Sequence, residues 1–77
     1  MDIAFDVELD ARGFLCPLPI LKTRFAIDAM AVGEVLRVLS TDGGSVRDME
    51  AFARQTGHEL LHSHASGREF VFYLRKG

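Results

Sequence analysis

The sequence predicts a two-layer α/β sandwich, in which a four-stranded mixed sheet packs two helices on one face. Four segments have the alternation or the β-branched composition of strands, and two segments with helical features lie between the first three of them. Glycines and other turn-forming residues separate most of these segments. The predicted order is therefore β-α-β-α-β-β, and a chain of 77 residues is long enough for one domain, which we expect to span residues 1–77.

The first half of the chain contains a predicted strand, helix and strand. Apolar and polar residues alternate from Ile3 to Leu9, which predicts a strand with one buried face. A helix is predicted from residue 17 to about residue 30, because proline is well tolerated at the first helical position and Gly33 ends the segment. Glu34–Ser40 is aliphatic on both faces, which predicts a central strand.

The second half contains a predicted helix and two strands. Turn-forming residues Thr41–Ser45 precede the helix, which we expect over Ser45–Thr56 with a stop at Gly57. Ser45 and Asp48 have the spacing of a capping box, and Val46, Met49, Phe52 and Ala53 form the predicted inner stripe. The last two predicted strands cover residues 58–65 and 68–76, with Phe70, Phe72 and Leu74 on one face.

Composition restricts the partners and the compartment. The net charge of −2 and the pI near 5.8 argue against direct nucleic-acid binding, which usually requires a strong basic surface. One cysteine cannot form an internal disulfide, so we expect a reducing, cytoplasmic location. The first residues lack the pattern of a secretory signal, and no apolar stretch is long enough to span a bilayer, so we expect no membrane association.

The single cysteine precedes the first predicted helix in the sequence Cys16-Pro-Leu-Pro19. Proline disfavours the helical conformation in the residue before it, which makes Cys16 the predicted N-cap, with Pro17 first in the helix. Prolines in the first turn remove N–H groups that have no intrahelical partner, so the first N–H available to the sulfur is that of Leu18. The positive end of the helix dipole favours a thiolate, so we expect a lowered pKa for Cys16.

Two further groups of residues have open interpretations. The first helix has two apolar stripes, and periodicity does not tell which one faces the sheet: Ile20, Thr23, Ile27 and Met30, or Leu18, Leu21, Phe25 and Ala29. His58, His62 and His64 are close in sequence, but a metal site needs three or four converging ligands, and we predict none. Asp42 is interpreted as a turn or cap residue.

The stretch LDARGFLCPLPILKTR resembles the signature of the TusA/SirA-type sulfur carriers, in which a Cys-Pro-x-Pro motif opens the first helix. The resemblance continues through GEVLRVLSTDGGSVRDMEAFARQTGHELL and covers nearly the whole chain. It implies that Cys16 bears the sulfur, that Pro17 and Pro19 are the motif prolines, and that Asp10 and Gly13 hold the lead-in positions. Many family members have Pro or Ala after the aspartate of the turn where this chain has Gly43.

The resemblance also implies a function. A donor protein, of the cysteine desulfurase or rhodanese type, places sulfane sulfur on the cysteine as a persulfide, and an acceptor protein removes it. Such a sulfurtransferase is a stoichiometric relay that requires no metal and no organic cofactor, and a monomer suits it. Family members are associated with tRNA thiolation, molybdenum-cofactor sulfuration, thiosulfate use and sulfur oxidation, and the sequence favours none of these pathways.

The resemblance places the Ile20 stripe inside, which would leave Leu18, Leu21 and Phe25 partly exposed near Cys16. We hypothesise that these residues form a docking surface for a partner protein, to which Lys22 and Arg24 add positive charge. The alternatives are that a small domain buries a wide helix face, and that Lys22 and Arg24 belong to an ordinary solvated helix surface. A second function also remains open, a non-catalytic regulatory or binding module with a structural or redox-sensitive cysteine; RNA binding is disfavoured by the acidic charge.

Overall fold

The computed structural model describes residues 3–77 and has the predicted architecture. Its elements are, in chain order, β1 (Val7–Ala11), α1 (Leu18–Asp28), β2 (Val35–Ser40), α2 (Ser45–Thr56), β3 (Glu59–Ser66) and β4 (Glu69–Arg75). The strands form one sheet in the order β1-β2-β4-β3, with β1 parallel to β2 and the other pairs antiparallel. The predicted mixed sheet and element order are thus confirmed. Neither helix of residues 3–77 is long and apolar enough to cross a membrane.

The main core lies between the sheet and the two helices. Its buried apolar residues come from both the sheet and the helix layer: Ala11, Ile27, Met30, Leu36, Val38, Met49, Phe52, Phe72 and Leu74. The predicted inner stripe of α2 is confirmed, since Met49, Phe52 and Ala53 are buried and Val46 packs against them. Gly57 ends α2 as predicted, with a φ of 80° that favours glycine.

The opposite face of the sheet has a smaller apolar cluster. Leu39, Val71 and Tyr73 are buried there, and Ile3, Val35 and Leu61 pack partly buried against them. Since Leu36 and Val38 face the helices, β2 is apolar on both faces. It also pairs with a strand on each side, which confirms its predicted central position.

β1 is shorter than predicted because its pairing with β2 begins only at Val7. The backbone N–H of Asp6 donates to the carbonyl of Val35 at 2.8 Å, but the carboxylate of Asp6 accepts the N–H of Val35 at 2.9 Å. The side chain of Asp6 thus accepts the backbone N–H of Val35, which would bond to a backbone carbonyl if the parallel strand were longer. Phe5 lies instead near Tyr73 on the face away from the helices, with ring centroids 6.4 Å apart, so the prediction of a strand from residue 3 was wrong.

The three histidines lie in two separate places. His58 precedes β3 and packs against Phe52 of α2, with ring centroids 5.6 Å apart. His62 and His64 share a face of β3, with ring centroids 5.2 Å apart, and His62 also neighbours Tyr73 on the face away from the helices. Their imidazoles therefore do not converge on one point.

Candidate functional site

A tight turn leads the chain from β1 towards Cys16. The N–H of Arg12 donates to the carboxylate of Asp10 at 3.1 Å, and the guanidinium of Arg12 donates to the same carboxylate at 2.9 Å. These bonds lower the pKa of Asp10 to about 2. Gly13 has a φ of 85°, and its N–H donates to Oγ1 of Thr41 at 2.9 Å. Asp10 and Gly13 therefore take part in the hydrogen bonds of the turn between β1 and Cys16.

Cys16 and Pro17 are the central residues of a second turn, which the N–H of Leu18 closes by donating to the carbonyl of Leu15 at 2.9 Å. The helix starts after this turn, since the N–H of Leu21 donates to the carbonyl of Pro17 at 3.1 Å. Pro17, not Cys16, is thus the N-cap, and the prediction was wrong by one residue. The N–H of Leu18 is occupied by Leu15, so it is not free to bind the sulfur as expected.

Pro19 anchors the first turn of α1 in the core. It is fully buried, unlike Pro17, which lies two residues earlier and is exposed. Its carbonyl accepts a hydrogen bond of 2.8 Å from the buried hydroxyl of Thr23. The two motif prolines thus have different environments: one forms part of the surface turn, and the other fixes that turn to the protein.

Two carboxylates contact Cys16 directly. The thiol Sγ donates to Oδ2 of Asp48 at 3.1 Å, and the backbone N–H of Cys16 donates to Oδ2 of Asp42 at 2.8 Å. Asp48 lies in the first turn of α2, and Asp42 lies in the turn between β2 and α2. Both are far from Cys16 in sequence, and the fold brings them to it.

The capping box expected at Ser45 and Asp48 does not form. The N-cap of α2 is Gly44, without a side-chain cap, and the hydroxyl of Ser45 donates to the carbonyl of Asp42 at 2.6 Å. The carboxylate of Asp48 faces the thiol of Cys16 instead. Asp42 is a turn residue as interpreted, because its Oδ1 accepts the N–H of Gly44 at 3.4 Å.

The pKa of the Cys16 thiol is raised, which contradicts the expected lowering. The largest cause is its hydrogen bond to Asp48, followed by partial desolvation and by the negative charges of Asp48 and Asp42. An adjacent carboxylate disfavours a thiolate, so the position of the thiol near a helix start does not by itself give the direction of its pKa. The cysteine nonetheless lies exposed on the surface, so an incoming reagent can reach it.

The faces of α1 are arranged as the resemblance implied. Thr23 and Ile27 are fully buried, whereas Leu18 and Leu21 are each 44% exposed and Phe25 is 77% exposed. Leu18 opens the helix directly after the Cys16 turn, so the exposed apolar face extends from the thiol along α1.

Lys22 and Arg24 lie over aromatic rings. The ammonium of Lys22 is 4.4 Å from the ring centroid of Phe14, on the segment that leads to Cys16. The guanidinium of Arg24 is 5.6 Å from the ring centroid of Phe52, on α2. Lys22 is therefore placed on the side of the cysteine segment, and Arg24 is placed on the side of the second helix.

Sequence reasoning missed three residues of this site. Asp48 and the side-chain contact of Asp42 were not predicted, because each was assigned a local role in the second helix start. Leu15, which directly precedes Cys16 and is 73% exposed, was not included in the docking surface. The acidic residues at the start of α2 were the available signal, since the first turns of two crossover helices on one sheet face lie at the same sheet edge.

Comparisons with known proteins find a family and relatives that match almost the whole chain. The family described as Sulfurtransferase TusA matches residues 7–76. The sulfur carrier protein TusA of Allochromatium vinosum is 53% identical over 72 residues, which are 94% of this chain and 95% of that protein. The sulfur carrier protein TusA of Pseudomonas entomophila is 35% identical over 75 residues, which are 97% of this chain and 94% of that protein.

A solved structure shows the same fold. The crystal structure of a SirA-like protein from Desulfitobacterium hafniense aligns with a TM-score of 0.80 at 20% identity, and the alignment covers 94% of this chain and 99% of that chain. The family match and the two identities extend over almost the whole sequence. This chain therefore belongs to the TusA sulfurtransferase family, whose relatives above are named sulfur carrier proteins.

Proposed function

We propose that this protein accepts sulfane sulfur as a persulfide on Cys16 from a donor protein of the cysteine desulfurase or rhodanese type, and then passes it to an acceptor protein. The observation that carries the proposal is the exposed thiol of Cys16 in the turn that opens α1. Membership of a sulfurtransferase family supports it. The relay operates in a reducing, cytoplasmic environment and as a monomer, since the thiol must meet two partners in turn.

The transfer exchanges one sulfur atom between two thiols. Sγ of Cys16 attacks the terminal sulfur of the donor persulfide, and a new S–S bond forms as the donor S–S bond breaks. The electron pair of the broken bond leaves on the donor cysteine sulfur, which takes the proton lost by Cys16. An acceptor thiol then repeats the exchange at the terminal sulfur on Cys16. No net oxidation occurs, and no metal or organic cofactor takes part.

We assign the docking of these partners to the exposed face of α1. Leu18, Leu21 and Phe25 form an apolar surface that starts at the thiol, and apolar residues at the centre of an interface exclude water. Lys22 and Arg24 add positive charge on either side of it. Asp10, Gly13, Pro17 and Pro19 shape the turn that holds the thiol beside this surface.

The first experiment tests whether Cys16 takes up sulfur. The protein is incubated with a cysteine desulfurase and cysteine, and its intact mass is measured under non-reducing conditions. We expect a gain of one sulfur atom that a reductant removes, and no gain in Cys16→Ser. If the wild-type protein remains unmodified with both desulfurase and rhodanese donors, the relay is wrong, and the alternative of a regulatory module with a structural or redox-sensitive cysteine is favoured.

A further inference from the structure

The hydrogen bond between Cys16 and Asp48 is unexpected for a nucleophilic cysteine, because a carboxylate beside the sulfur disfavours the thiolate. It joins the turn before α1 to the first turn of α2, with Sγ 3.1 Å from Oδ2 of Asp48. Asp42 holds the same turn from a second side, through the 2.8 Å bond to the N–H of Cys16. The side chain of the cysteine is thus directed at a carboxylate.

We propose that Asp48 sets the balance between the empty and the sulfur-loaded forms of Cys16, and thereby favours delivery of sulfur over its retention. This inference rests on the proposed relay. Asp48 is a positioning residue that acts through the sulfur of Cys16. It stabilises the empty thiol by accepting its hydrogen bond, and its negative charge destabilises the persulfide anion that replaces the thiol.

The chemistry follows from the charges of the two forms. A persulfide is more acidic than a thiol, so the loaded cysteine is an anion near neutral pH, while the empty cysteine is neutral. On delivery, an acceptor thiol attacks the terminal sulfur, the bond from Sγ to that sulfur breaks, and Sγ takes the proton that the acceptor loses. The negative charge moves to the acceptor persulfide, and the hydrogen bond from Cys16 to Asp48 re-forms.

The charged groups around Cys16 support this assignment. Two carboxylates contact Cys16: Asp48 belongs to the first turn of α2, and Asp42 belongs to the turn before α2. On the α1 side, the ammonium of Lys22 lies over Phe14. The N–H of Leu18, which would stabilise an anionic sulfur, is occupied by Leu15. The direct partners of the cysteine therefore oppose a negative charge on it.

The test compares Asp48→Asn with two matched variants. Asp48→Glu keeps the carboxylate, and Glu50→Gln removes one negative charge from an exposed position of the same helix. The pH profile of iodoacetamide alkylation is measured on the unloaded proteins. We expect its midpoint to fall by about 0.7 pH unit in Asp48→Asn, as for loss of a unit charge near 4 Å in water. Asp48→Glu moves the midpoint back towards wild type, and Glu50→Gln leaves it in place.

The second measurement equilibrates the sulfur-loaded proteins with glutathione and determines the fraction of persulfide by mass spectrometry. We expect Asp48→Asn to retain sulfur about fivefold more strongly than wild type, and Glu50→Gln to match wild type. An unchanged alkylation midpoint in Asp48→Asn, or unchanged retention of sulfur, overturns the inference. Either result leaves the relay itself intact if the wild-type protein still takes up sulfur, so the two failures are distinguishable.

Discussion

Helix α1 has two apolar faces of similar composition, and they have opposite environments. Ile27 and Thr23 lie fully buried against the sheet, while Phe25, between them in sequence, is 77% exposed. Burial of a large apolar side chain stabilises a fold by about 2 kcal/mol, and exposure forgoes that gain. The buried face thus holds the structure together, and the exposed face, which begins at Cys16, is available for contact with another protein.

The largest expected effect lies on the buried face. Ile27→Ala leaves a cavity between α1 and the sheet, and we expect it to lower the free energy of unfolding by about 2–4 kcal/mol. Leu21→Ala, on the exposed face, is the matched control and should cost less than about 1 kcal/mol. Urea unfolding followed by circular dichroism measures both. Equal losses would show that the two faces contribute equally to stability.

A smaller effect is expected from the hydroxyl within the buried face. Thr23→Val keeps the shape of the side chain and removes its hydrogen bond to the carbonyl of Pro19, so we expect a loss of about 1 kcal/mol in the free energy of unfolding. Thr56 makes the same kind of bond to the carbonyl of Phe52 at the exposed end of α2. Thr56→Val should therefore cost about half as much or less. A larger loss at Thr56 than at Thr23 contradicts this ranking.

The smallest effect on stability is expected on the exposed face. Phe25→Glu should change the free energy of unfolding by less than about 0.5 kcal/mol. Its consequence should be functional, because loss of an apolar interface contact slows sulfur loading from a desulfurase by about tenfold. Loading is measured as the rate of mass gain at a fixed donor concentration.

Val32 provides the matched control for Phe25. It is 76% exposed, almost the same as Phe25, but it follows the C-terminal end of α1, away from the cysteine. Val32→Glu should therefore leave the loading rate unchanged. If Phe25→Glu unfolds the protein, or if both variants slow loading equally, the exposed face of α1 is not the docking surface.

The fold was largely predictable because its signals are local. The β-branched residues of β2 and the stripe of α2 identify their own elements, and the observed bounds of α2 equal the predicted ones. The assignment of the faces of α1 required the family resemblance, because periodicity alone left two stripes. The start of β1 was missed because alternation of residues does not reveal that the side chain of Asp6 replaces a backbone pairing.

The site was less predictable because its chemistry depends on contacts between distant segments. Cys16 and its prolines are visible in the sequence, but the thiol partner is 32 positions away in Asp48. Local reasoning therefore considered the helix N-terminus alone and gave the wrong direction for the pKa of Cys16. Only the packing of α2 beside α1 shows that a carboxylate acts on the sulfur.

The position of β4 has a consequence for biosynthesis. β4 follows the other three strands in the sequence, yet it lies between β2 and β3 and contributes Phe72 and Leu74 to the core. The core therefore cannot close until β4 has left the ribosome. Cys16 is thus translated well before the core that holds it beside Asp42 and Asp48 can form.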